Sequence, residues 1–260
     1  MRHFAFLMAI AAIAVPASQA IAQPEGSYRV RAGLGAQIRP DFPGADDTEW
    51  SVYPHIAIAK GNQPFVFGAP DDSFDFRLIS SGGFAAGPVA KIASGRKDSK
   101  VGAPVGDVST TIEAGAFVQQ SLGESFRLRG EVRKGIGGHD GIVGNIGGDF
   151  IARDGDLYVF SIGPRVIFSN SRYQRAYFGV TPQVALATGL PVYRPDGGIH
   201  ALGIVSGIDY AIGGGWGLFG FARYDRLVGD AKKSPIVRVF GSPDQFSAGL
   251  GINRTFTLRL

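Results

Sequence analysis

Phe126-Arg127-Leu128-Arg129-Gly130-Glu131-Val132-Arg133 is the stretch on which the fold turns. Phe126, Leu128 and Val132 alternate with Arg127, Arg129, Glu131 and Arg133, so a period of two puts the apolar groups on one face and four charges on the other. The same alternation stands at both ends of the chain. Tyr28, Val30, Ala32, Leu34, Ala36 and Ile38 interleave with Ser27, Arg29, Arg31, Gly33, Gly35 and Gln37. Ala248, Leu250, Ile252, Phe256, Leu258 and Leu260 interleave with small and polar residues from Ser247 to Arg259, and Arg254 is the single break on the apolar face.

A soluble antiparallel sandwich and a membrane barrel both alternate in this way. Three features favour the barrel. The segments run to about ten to fourteen residues, as tilted spanning strands require, where soluble strands cluster near five or six. Tyr28, Trp50, Phe126, Tyr158, Phe168, Tyr210 and Trp216 lie near segment ends, where an interfacial girdle would place them. Short glycine-rich turns alternate with longer polar loops.

The spacing predicts an all-β, antiparallel, transmembrane up-and-down β-barrel of 12 strands, with 10 as the alternative. The strands fall at 27–38, 50–59, 64–69, 73–80, 84–94, 108–121, 125–136, 142–152, 157–168, 199–212, 216–228 and 246–260. The segments between 64 and 80 are short, and their apolar phase shifts. Loops at 39–49, 70–72, 95–107, 137–141, 169–198 and 229–245 are expected to be external, and an even strand number puts both termini in the periplasm.

The first residues read as a secretory signal. Arg2 and His3 precede an apolar run from Phe4 to Val15, too short to span a bilayer as a helix, and small residues lead to expected cleavage after Ala22. The domains are then a signal peptide, 1–22, and an outer-membrane barrel, 23–260. The net charge of +4 falls to about +3 without Arg2, a balance that points to no nucleic-acid partner. The chain has no cysteine, so an exported protein of this kind draws no stability from disulfides. Glycine, at 39 of 260 residues, is about double ordinary usage and suits tight turns and crowded strands.

No pattern marks an active site. His139-Asp140 is the one pair that invites a hydrolytic reading, but it shows only a glycine-flanked turn. His55, His139 and His200 have no metal-ligand spacing, and neither a metal nor a cofactor is expected. The row Arg127, Arg129, Glu131, Arg133 must face the lumen, because a charge on the lipid face costs about 2–4 kcal/mol for each Arg at mid-membrane. Two readings follow: a weakly anion-favouring pore lining, or, preferred here, a buried ladder bridged by Glu113, Asp149 or Asp209. In the 169–198 loop, Thr181 as N-cap and Gly189 as stop bracket a short helix from Pro182 to Thr188. Tyr173, Tyr177, Phe178 and Tyr193 either close the barrel mouth or stabilise the loop. With Thr181 and Pro182 they form the candidate partner or gating set.

That loop also carries a resemblance. Arg172-Tyr173-Gln174-Arg175-Ala176-Tyr177-Phe178-Gly179-Val180-Thr181-Pro182, then Gly189-Leu190-Pro191-Val192-Tyr193 and Pro195-Asp196-Gly197-Gly198, resembles the central signature of the MipA/OmpV family of outer-membrane proteins. Arg39-Pro40-Asp41-Phe42-Pro43-Gly44-Ala45-Asp46-Asp47, Glu113-Ala114-Gly115-Ala116-Phe117, Gly137-Gly138-His139-Asp140-Gly141, Leu227-Val228-Gly229-Asp230-Ala231, Ser234-Pro235-Ile236-Val237 and Gly241-Ser242-Pro243-Asp244-Gln245-Phe246 also match, in the same order. Leu260 departs from the aromatic residue at which such barrels tend to end. The resemblance implies a non-catalytic scaffold linking a murein-lytic transglycosylase with a penicillin-binding protein. A small diffusion pore is the runner-up and an outer-membrane hydrolase a distant third.

Overall fold

The computed structural model describes residues 27–259, so the signal segment and Leu260 lie outside the described residues. The chain forms a twelve-stranded antiparallel sheet curled into a barrel. The strands are β1 Ser27–Pro40, β2 Thr48–Lys60, β3 Phe74–Asp75, β4 Ile79–Ser81, β5 Phe84–Ala93, β6 Thr111–Leu122, β7 Phe126–Ile136, β8 Ile142–Asp154, β9 Tyr158–Ser169, β10 Gly198–Gly213, β11 Trp216–Leu227 and β12 Asp244–Arg259. Neighbours in sequence pair from β5 to β12, and β12 pairs with β1 from Ser27↔Arg259 to Ile38↔Ala248, bringing the first and last strands together.

Burial runs opposite to that of a soluble protein. Leu128 and Val132 are 55% and 51% exposed, whereas Arg127 and Arg129 are 2% and 3% exposed. Exposed Leu250 and Ile252 on β12 likewise alternate with half-buried Gly251 and buried Asn253. Such a wall is stable only with hydrocarbon outside. Arg254, the break in the apolar face, lies near the end carrying the termini, with its guanidinium 5.1 Å from the Trp216 ring and 5.6 Å from that of Phe256. There it keeps its charge at the interface.

The first part of the wall differs from the spacing-based division. Residues 64–69 are not a strand, and 70–72 are not an external loop: after the turn at 61–63, the segment from Phe65 to Ser73 runs inside the barrel. Its alternation is real, but its two aromatics face cations. Phe65 lies under Arg29 and Arg31, and Phe67 under Arg127, with guanidinium carbons 4.3–4.8 Å from the rings. Each such contact contributes about 0.5–2 kcal/mol.

The single strand expected at 73–80 is broken into β3 and β4. Its backbone still follows β5, through Phe76 N to Pro88 O and Leu78 N to Ala86 O. Pro88 has no N–H to return, and the register slips by one residue between Asp75↔Val89 and Ile79↔Ala86.

At the end remote from the termini, the loops fold into a cap. It contains α1 Asp98–Val101, α2 Ser171–Phe178, α3 Pro182–Thr188, α4 Gly229–Lys233 and α5 Pro235–Phe240. Asn170 caps α2 by accepting from Tyr173 N. Thr181 caps α3 by accepting from Val184 N, and Gly189 ends it at φ 74°. α2 was not legible in the sequence, whereas α3 has the bounds its caps suggested. Phe178, Ala231 and Val237 pack with Val143, Ala201 and Leu227 at the ends of β8, β10 and β11, which fastens the cap to the rim.

Candidate functional site

The lumen is built around the inward row of β7. Arg127 donates to Asp149 of β8 through Nε and Nη2 at 2.9 and 2.6 Å. Arg129 pairs with Glu131 at 2.7 Å and donates to Gln119 at 2.9 Å. Arg133 reaches Glu131 at 2.5 Å and Glu113 at 2.8 Å, and also donates to Asn145. Period two aligns these side chains, and the antiparallel register sets Arg133 beside Gly115 and Arg127 opposite Asp149.

The inner segment completes the network. Asp72 accepts from Arg127 at 2.6 and 3.1 Å, and Asp71 takes the Arg165 fork with both oxygens at 2.9 Å. Ser73 Oγ donates to Glu131 at 2.6 Å, and Asp75 meets Arg129 at 2.9 Å. The lower end of the segment is pinned where Phe65 N donates to Asp156, which also pairs with Arg29 at 2.7 Å. Buried charges are costly unless paired and hydrogen-bonded, and these are both.

Asp209 stands apart from this network. It is 3.8 Å from Arg31, 3.6 Å from His55 and 3.4 Å from Asn253 Nδ2. Asp71, Asp72, Ser73, Arg165, Arg223 and Asp225 were not singled out by sequence. Arg165 shares its face with Ser161 and Gly163, so its phase was readable. Arg223 and Asp225 share theirs with the inward aromatics Phe219 and Phe221, and a strand with apolar groups on both faces hides its lumen side.

At the mouth, Tyr173, Tyr177 and Phe178 are buried. Tyr173 meets the His139 ring edge-on at 4.8 Å and the His200 ring at 5.2 Å. Tyr177 donates through its hydroxyl to Ser94 O at 2.6 Å, and its own carbonyl accepts from buried Arg96. Burial pushes the Tyr177 phenol up to about 12 and holds Tyr173 well above its ordinary value. Tyr193 lies higher in the cap, its hydroxyl donating to Asp230 O at 2.9 Å. Thr181 and Pro182 are exposed at the start of α3.

His139 lies in the glycine-flanked turn between β7 and β8, with its ring buried. Its Nδ1 accepts from Gly141 N at 2.9 Å, which leaves Nε2 to donate to Glu113 at 3.1 Å. Both ring nitrogens are committed to structure, which leaves none to act as a base. The interior is thus divided. A chamber of about 270 Å³ beneath the cap is lined by Lys91, Glu113, Arg133, Tyr173, His200 and Arg223, among others. Cavities of about 420 and 560 Å³ open at the end bearing the termini, beside Arg29 and Trp216 and beside Arg77 and Glu124.

A curled antiparallel sheet with an apolar outside and a paired-charge inside defines an outer-membrane β-barrel protein. More narrowly, the chain belongs to the family described as MltA-interacting protein MipA, which matches residues 32–256. No curated protein matches it. Among solved structures it is similar to a bacterial polysaccharide outer membrane secretin (8% identity, 91% of this chain and 100% of that one, TM-score 0.42). It is also similar to an outer membrane channel from Pseudomonas putida F1 (11% identity, 93% and 100%, TM-score 0.41) and to a porin (11% identity, 88% and 100%, TM-score 0.34).

Proposed function

We propose that the protein is a non-catalytic scaffold of the outer membrane, delivered by cleavage after Ala22, with both termini and the short hairpins in the periplasm. There it binds a murein-lytic transglycosylase and, through it, a penicillin-binding protein. The observation that carries this reading is the filled lumen: Asp71 and Asp72 cross the barrel to Arg165 and Arg127, and the cap covers the mouth above them. A barrel packed in this way serves as an anchor and a rigid platform rather than a conduit. The family description, MltA-interacting, names the class of partner. The engagement of both nitrogens of His139 speaks against the hydrolase reading.

The platform facing that partner is the set of turns at Gly61-Asn62-Gln63, Gly123-Glu124, Asp154-Gly155-Asp156 and Gly213-Gly214-Gly215. A photoreactive side chain in place of Glu124, mixed in detergent with a purified murein-lytic transglycosylase, is expected to give a one-to-one covalent adduct. Adducts from the cap at Leu186 but none from Glu124 would reverse the orientation, and none from either would reject the scaffold. The runner-up, a narrow diffusion pore, draws on the cavities at the end bearing the termini, and planar-bilayer conductance at high salt tests it.

A further inference from the structure

The sheet does not close on itself. β2 and β3 are its two ends, and among the described residues no backbone hydrogen bond joins β2 to β3 or β4. The place in the wall that a strand at 64–69 would fill is vacant because that segment is held inside.

The free edge of β2 is suited to remaining unpaired. Gly61 N donates to Ser27 O, so in the β1–β2 register the odd residues of β2 bond to β1 and the even residues turn their backbone groups to the open side. Pro54 is one of those even residues. Its missing N–H therefore falls on the free edge, where it costs β1 nothing and blocks continuous pairing with another strand. Across the gap, Phe76 and Leu78 spend their N–H groups on β5. The seam is bordered outside by exposed Ile56, Ile58, Phe74 and Phe76.

Behind the seam lies a cavity of about 490 Å³ that reaches both the seam and the interior. This volume is within the range of small-molecule sites, about 300–1,000 Å³. Pro54, Ile56, Val66 and Phe74 form its outer part, and Arg31, His55 and Asp209 its inner part. Arg31 is 8% exposed, its Nε is buried with no hydrogen-bond partner, and the Asp209 carboxylate stands off at 3.8 Å. The buried guanidiniums of Arg127, Arg133 and Arg165, by contrast, each have a carboxylate within 3 Å.

From the open seam, the polarity gradient behind it and the under-bonded cation at its inner end, we infer that the gap between β2 and β3–β4 is a lateral portal. It admits the anionic head group of a single-chain amphiphile from the membrane. The head group approaches Arg31, while the chain stays outside against Ile56, Phe74 and Phe76. The portal does not depend on the scaffold reading.

The test uses the full mature chain refolded in phosphatidylethanolamine vesicles containing oleate, with a benzophenone side chain at Ala57, which lines the cavity. Ala57 is expected to yield oleate adducts at a level comparable to that of outward-facing Ile58, and Ser247, inward on β12, to yield none. Arg31→Gln is expected to lower capture at position 57 about tenfold, as the loss of one charge-assisted hydrogen bond would. Capture at position 58 should remain unchanged, which shows that the variant is inserted. Oleyl alcohol should be captured at position 57 no better by the parent than by Arg31→Gln. The portal is refuted by labelling at Ile58 without labelling at Ala57, by equal labelling at Ala57 and Ser247, by indifference to Arg31→Gln, or by a protein–protein adduct from Ala57, which would mean a second copy on the β2 edge.

Discussion

Asp72 of the inner segment accepts two hydrogen bonds from Arg127 of β7, at 2.6 and 3.1 Å, while the same guanidinium also holds Asp149 of β8. One wall arginine therefore ties a neighbouring strand and the segment crossing the lumen into one unit. Removing a partner from a buried pair is costly because the other charge stays behind. Asp72→Asn is expected to cost about 3 kcal/mol, the lower end for a broken buried pair, since Asp149 still serves Arg127. Urea unfolding of the refolded barrel measures this, and an unchanged midpoint would remove Asp72 from the network.

On the scaffold reading proposed above, the same tie blocks passage along the lumen. Asp71→Asn combined with Asp72→Asn frees the segment at Arg165 and Arg127, and is expected to turn a silent protein into one that passes current in planar bilayers. A parent that already conducts steadily would favour the pore. A double variant as silent as the parent would place the block in the cap.

Gly207 on β10 is the point on which the inner segment leans. A Cβ there would stand 2.5 Å from Pro70 Cγ and 3.0 Å from Pro70 Cδ. Gly207→Val is expected to destabilise by about 1–3 kcal/mol, the usual cost of overpacking. Amide exchange should accelerate in residues 64–72 and remain slow in β10. Acceleration confined to β10 would contradict this placement.

The cap is sensitive to base through Tyr177. Burial raises its folded-state value to about 12 above an ordinary value near 10, so its stabilising effect is complete below about pH 10 and is lost as pH rises through the folded value. Exchange in α2 should increase between about pH 10 and 12, and Tyr177→Phe should flatten its share of that rise. An acid counterpart lies at Asp230, held below the usual carboxylate range by the Asp196 N–H and then by Lys233. A depressed value gives stability that is present above about pH 4 and lost as pH falls through the folded value, so the 193–198 stretch should loosen in acid before the barrel does.

The wall was legible wherever its two faces met different solvents. Leu128 and Arg129, or Ile252 and Asn253, differ so sharply in polarity that period two alone assigns them. The pattern misled at 64–69, because Phe65 and Phe67 alternate like lipid-facing residues and yet stack beneath Arg29, Arg31 and Arg127. Aromatic rings suit either neighbour, so periodicity cannot tell a strand in the wall from one drawn into a cationic lumen. Asp71 and Asp72 are ordinary turn residues in sequence. Their role depends on Arg127 and Arg165, 55 and 94 positions away, and such distances leave no local trace. Both caps of α3 were readable because capping is local; α2 has a local cap at Asn170 but no left-handed glycine to end it, and it buries Tyr173, Tyr177 and Phe178 against the rim.

Everything described depends on hydrocarbon outside the wall and packed polar groups within. The chain has no cysteine, so single labels can be placed freely. Nitroxides introduced in vesicles at Val118, Gln119, Ile252 and Asn253, two exposed apolar positions and their two buried polar neighbours, measure the contrast directly. Strong collision with oxygen and weak collision with a water-soluble nickel chelate is the predicted result at Val118 and Ile252. The reverse order is predicted at Gln119 and Asn253, which line cavities opening at the end bearing the termini. Equal access to the nickel chelate at all four positions would contradict a membrane barrel with a filled lumen.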